Sequence, residues 1–116
     1  MAPDDFRRIA LSMPESVEVY RRGHSEFRVQ RISFASLEGP ADAVAMVRLT
    51  TEQQAMLMHA ASRTFVPVPG GWGRLGNTKI LLASASETMV ESALSLAWRN
   101  VAPKSLLKRI DKPPGS

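Results

Sequence analysis

The sequence predicts an α+β domain, and three observations carry that reading. Short segments between residues 16 and 49 alternate apolar and polar residues with a period of two, as half-buried strands do. Segments near both ends instead repeat their apolar residues at helical spacing. The connections within the strand region are short, which implies antiparallel neighbours, because parallel pairing needs long crossovers.

The first helix is expected over Pro3–Ser12. Pro3 suits the first helical position, and Asp4 and Asp5 complement the positive end of the helix dipole. Phe6, Ile9, Ala10 and Met13 form one apolar face, and Pro14 stops the helix. In Glu26–Gln30, Phe27 and Val29 alternate with charged or amide residues. Ile32, Phe34 and Ser36 alternate likewise before a turn at Glu38-Gly39-Pro40. Ala43–Leu49 is the next strand, with Val47 and Leu49 on one side and Arg48 on the other.

Thr50 opens a second helix. It stands three residues before Gln53, the spacing of a capping box, and Met56, Leu57, Ala60 and Ala61 make the expected apolar stripe. Phe65–Thr78, FVPVPGGWGRLGNT, is too rich in Gly and Pro to be a helix and reads as a loop presenting Trp72. It runs into a strand over Thr78–Leu82, where Ile80 and Leu82 oppose Lys79 and Leu81. A third helix starts near Ser84 or Ser86, with Val90, Ala93, Leu94, Ala97, Trp98 and Val101 on its buried face. Pro103 begins a short last helix carrying Leu106, Leu107 and Ile110. Residues 1–112 read as one domain and residues 113–116 as a flexible tail.

The chain has no cysteine, which excludes disulfides, thiolate metal sites and cysteine nucleophiles. No apolar run approaches the roughly 20 residues of a membrane span, and no signal segment is readable, so a cytoplasmic location without membrane contact is expected. The net charge of +4 is unevenly distributed. The ten Lys/Arg of residues 1–98 are matched by ten Asp/Glu, whereas Arg99, Lys104, Lys108, Arg109 and Lys112 face Asp111 alone. A second excess spans residues 43–86, where Arg48, Arg63, Arg74 and Lys79 face Glu52. Clustered cations attract phosphates by releasing counterions, although a solvated, solubilising face has the same composition.

No catalytic constellation is readable. His24-Ser25-Glu26 contains the residue types of a triad, but consecutive strand residues point to alternate faces. His24 and His59 lie in different elements and form no metal-ligand pair. Gly70-Gly71-Trp72-Gly73 lacks the Lys-Ser/Thr of a phosphate loop and is not expected to open a helix. No cofactor is therefore implied. Trp72 either stacks on an exposed base or anchors the loop over the sheet; His24 either donates to an anion or caps a turn. Arg22 and Arg28 project from the first strands, Arg74 and Lys79 flank the loop, and Lys104, Lys108 and Arg109 share the last helix.

GHSEFRV at 23–29, FVPVPGGWGRLGNT at 65–78 and AWRNVAPKSL at 97–106 resemble the MmcQ/YjbR family of small bacterial proteins. The order and spacing of these blocks agree along nearly the whole chain. Glu26 stands where the family commonly has a small residue, and Asn77 where it often has an aromatic. The resemblance implies a frataxin-like (CyaY-like) fold with helices against one face of an antiparallel sheet, and a DNA-binding role. Frataxin-type iron handling relies on an acidic edge; here Asp4 and Asp5 are followed at once by Arg7 and Arg8. The expected function is thus non-enzymatic DNA binding through Arg22, His24, Arg28, Trp72, Arg74, Lys79, Lys104, Lys108 and Arg109. The alternative is a small-molecule or protein-interaction pocket near the Trp72 loop, and the oligomeric state is not legible.

Overall fold

The structure, a computed structural model, describes residues 1–111; the expected tail lies outside them. Helix α1 (Pro3–Ser12) forms as expected, with Asp5 accepting from the Ala2 N–H at 3.1 Å and Phe6, Ile9 and Ala10 buried. Strands β1 (Ser16–Arg21), β2 (His24–Val29), β3 (Ile32–Glu38) and β4 (Val44–Arg48) follow. Next come α2 (Thr51–Ala60), β5 (Phe65–Pro67), the single turn α3 (Gly71–Arg74) and β6 (Asn77–Leu81). Helices α4 (Glu87–Val101) and α5 (Lys104–Asp111) complete the described chain. The strands form one antiparallel six-stranded sheet in the order β1-β2-β3-β4-β6-β5.

Strand alternation decides which residues meet the helices. Phe27, Ala35, Val47 and Thr78 stand in register across four strands and are all buried beneath α1 and α4. Phe6 of α1 meets Phe27 edge-on with ring centroids 5.8 Å apart. Trp98 of α4 fills the same core, and its indole N–H donates to the Pro14 carbonyl at 3.0 Å, just past the end of α1. Leu106 brings α5 into this core.

Four local features differ from the sequence reading. Gln30 belongs to a tight turn: Gln30 and Arg31 both have positive φ, 47° and 72°, and β2 ends at Val29. A bulge opposite Phe27/Arg28 makes Phe34 the extra residue, which inverts the alternation of β3. Ser36, expected on the side of Phe34, therefore pairs with Glu26 and Met46 on the opposite face, while Ala35 and Leu37 face the core. The α2 stripe is narrower than its sequence suggests. Leu57 is buried, but Met56 is 54% exposed and Ala60 is exposed, because α2 packs mainly beside the β5–β6 edge. Its capping box does form: the Thr50 Oγ1 accepts from the Gln53 N–H at 3.2 Å, and Gln53 Oε1 from the Thr50 N–H at 2.9 Å.

The FVPVPGGWGRLGNT segment is the fourth correction. It contains strand β5 and the helical turn α3, with Gly70 as its N-cap. The turn closes because Gly73 packs directly on the Val68 carbonyl, where a Cβ has no room. The glycines that argue against a long helix permit this one tight turn.

An ion cluster fastens α1 to the sheet. Glu18 of β1 accepts from Ser25 Oγ at 2.6 Å and from Arg7 Nε at 2.9 Å, and Arg7 also meets Asp4 and Asp42. Burial pushes the Glu18 carboxyl up, but hydrogen bonds from Ser25 and Arg7 and the Arg7 charge outweigh it and hold it below its ordinary value. Among the described residues no helix is long and apolar enough to cross a membrane.

A carboxyl depressed in the folded state contributes stability above its unfolded pKa and loses it as pH falls through its folded value. Glu18→Gln is expected to lower the unfolding free energy by about 1–2 kcal/mol at neutral pH. Urea melts should show that gap closing as pH falls below the carboxylate range; a pH-independent gap would contradict the account. In the β2–β3 turn, Gln30→Asn with Arg31→Gly should stabilise by about 1 kcal/mol by relieving left-handed strain, read as a raised melting temperature.

Candidate functional site

The sheet face opposite the helices carries the site. One row across it is Val19, Glu26, Ser36, Met46, Lys79 and Val66, in register on successive strands. Flanking rows place Arg28 beside Val17 and Ser33, and Arg48 beside Asn77. Arg21 and His24 form a further pair near the β1–β2 turn. The face thus carries Arg21, Arg28, Arg48 and Lys79 against Glu26 and Glu38, with His24 among them.

A cavity of about 290 Å³ opens on this face, lined by Glu26, Ser33, Glu38, Met46, Arg48, Val68, Trp72 and Asn77. Trp72 stands on its rim, 64% exposed. The turn that presents it is anchored at three points. Asn77 Nδ2 donates to the Trp72 carbonyl at 3.1 Å, and Gln54 Nε2 of α2 donates to the carbonyls of Gly73 and Asn77, each at 3.0 Å. The backbone that carries the indole is therefore tied down, and the exposed ring stands beside polar and apolar walls.

The two carboxylates differ in their partners. Glu26 accepts from Arg28 through Nε at 3.0 Å and through Nη2, and His24 Nε2 lies 3.7 Å from its other oxygen. These hydrogen bonds from Arg28, followed by the Arg28, His24 and Arg21 charges, hold the Glu26 carboxyl below its ordinary value despite partial burial. Glu38 accepts from Ser36 Oγ at 3.1 Å and has no cation within 4.0 Å among the described residues. It is an acceptor with capacity to spare.

The candidate residues named from sequence fall into three places. His24, Arg28 and Lys79 lie on the open face, with Trp72 and Arg74 on the turn at its margin. Arg22 occupies the β1–β2 turn at one end of the sheet. Asn100 of α4 donates to the Arg48 carbonyl at 3.0 Å, and Arg109 pairs with Glu15 at 2.6 Å. Helix α5, with Lys104, Lys108 and Arg109, consequently spans the other end, where β1 begins and β4 finishes. Arg28 and Arg109 already hold carboxylates, whereas Arg22, Arg74, Lys79, Lys104 and Lys108 have no acidic partner within 4.0 Å among the described residues.

Glu38, Met46, Val68, Asn77 and Arg48 were not among those candidates, although they line the cavity. Their proximity arises from β3–β4 and β4–β6 pairing and from the fold-back of Val68 onto α3. The sequence signal was the outward phase of each strand, visible for Arg48 and Lys79 but inverted by the bulge for Ser36 and Glu38. A larger and more open concavity of about 610 Å³ lies between α2 and α4, lined by Met56, Leu57, Ala60, Glu91, Ser92, Ser95 and Leu96, and it holds none of the candidates. Among the described residues no three His, Asp or Glu side chains cluster closely enough to hold a metal ion.

The fold and site define an α+β protein whose helices cover one sheet face and whose other face carries a mixed-charge cavity with an aromatic rim. Among solved structures, it is similar to the crystal structure of the Deinococcus radiodurans protein DR2400, a DUF419-domain protein. The likeness has a TM-score of 0.75 at 16% identity and covers 99% of this chain and 94% of that one. At that identity the similarity shows the fold. No protein-family model matches the sequence, and no curated protein matches it.

Gly73→Ala tests whether the close approach to Val68 builds the rim. It is expected to cost about 2–3 kcal/mol by overpacking and to shift the Trp72 indole N–H resonance while leaving that of Trp98 in place. An unchanged Trp72 resonance would show that the ring does not depend on this contact.

Proposed function

We propose that this chain is a frataxin-like member of the MmcQ/YjbR family and binds DNA, without catalysis, on the open face of its sheet. Family membership is supported by the sequence blocks at 23–29, 65–78 and 97–106 together with the likeness to a DUF419-domain structure. The observation that carries the functional reading is the exposed Trp72 beside a cavity on a face where cations outnumber carboxylates.

A base unstacked from its neighbours can lie against Trp72, since every base has a π-face. Arg48, Arg74 and Lys79 surround that position as phosphate partners. An open sheet presents no helix for the major groove, so the fitting substrate is an unpaired stretch of strand. Arg28 serves differently: its guanidinium is bound to Glu26, and it organises the face. The α5 cations form a separate end of the surface that a longer strand would reach.

Binding to a short single-stranded oligonucleotide should weaken with salt at a log–log slope of roughly −2, the value for about three phosphates. Trp72→Ala should weaken binding by about tenfold with that slope unchanged. Joint Arg48→Gln, Arg74→Gln and Lys79→Gln should flatten the slope. Absence of binding at low salt would overturn the reading. The cavity's mixed polar and apolar lining also supports a second reading, a free small ligand; a metabolite whose thermal stabilisation survives joint Arg74→Gln and Lys79→Gln, outside the cavity wall, would select it.

A further inference from the structure

We propose that the cavity beside Trp72 is a nucleobase subsite selective for guanine, with Glu38 as the residue that reads the base. The inference rests on the nucleic-acid reading above and adds specificity to it. An ionised carboxylate only accepts hydrogen bonds. Within the cavity, Glu26 is occupied by Arg28, while Glu38 receives the Ser36 hydroxyl on one oxygen and leaves its second oxygen without a partner among the described residues.

The complementary base edge must present adjacent donors. Guanine does so through N1–H and the N2 amino group; adenine and cytosine pair an amino donor with a ring acceptor. Thymine sets a single N–H between two carbonyls, which a carboxylate repels. The rest of the wall agrees with guanine. Met46 and Val68 provide apolar contact, and Trp72 offers a stacking surface. Glu38, at the end of β3, pairs with Val44 at the start of β4, so it stands at the end of the cavity away from Arg48 and Asn77.

The test uses an eight-nucleotide thymidine strand carrying one central guanosine, adenosine or cytidine, compared with the all-thymidine strand, at fixed salt. Guanosine is expected to bind about tenfold or more tighter than thymidine, with adenosine and cytidine between. Glu38→Gln, which replaces one acceptor by a donor, should reduce the guanosine preference to about twofold while leaving the salt slope and melting temperature unchanged. Equal binding of all four strands, or a preference that survives Glu38→Gln, would overturn guanine reading and leave the phosphate-binding function standing. No binding of any strand would overturn both.

Discussion

One-sided coverage of a single antiparallel sheet is the constraint on which the structure depends. Strand side chains alternate, so outside the bulge each residue buried beneath the helices has neighbours in the chain that face the other way. Phe27, Ala35 and Val47 pack under α1 and α4, while Glu26, a buried Ser36 and Met46 stand one position away on the opposite face. Core and candidate site are two sides of one register. A slip of one residue would exchange them.

The bulge at Phe34 shows how closely the two are coupled. By adding a residue to β3 it keeps both Phe34 and Ala35 in the core and re-aims Ser36 and Glu38 outward. Without it, Glu38 would fall on the helical side and the cavity would lack a wall. The α3 turn has a comparable role at the other margin. Gly73 on the Val68 carbonyl, with Gln54 and Asn77 tying the loop carbonyls, links α2 to the exposed ring of Trp72.

Charge in this molecule divides by task. Arg7 and Arg8 bind Glu18 and Glu87 and hold α1 in place, Arg99 binds Asp111, and Arg28 organises Glu26. These cations are paired with carboxylates, which offset much of the charge that a ligand would meet. Arg48, Arg74 and Lys79 have no such partner among the described residues, which makes their location more informative than the net charge.

Helix α1, the capping box of α2, the buried face of α4 and the outward phase of Arg48 and Lys79 were legible in the chain itself. Local rules act there: helical periodicity, proline punctuation and side-chain caps need no distant partner. The bulge, the α3 turn and the company of Glu38, Met46, Val68, Asn77 and Trp72 were not. Each depends on which strand lies beside which, and β4 pairs with β6 across an intervening helix and an edge strand. Sequence by itself determined the elements and their amphipathic faces. Tertiary pairing decided which outward residues meet, because hydrogen-bonded register is a contact between segments remote in the chain.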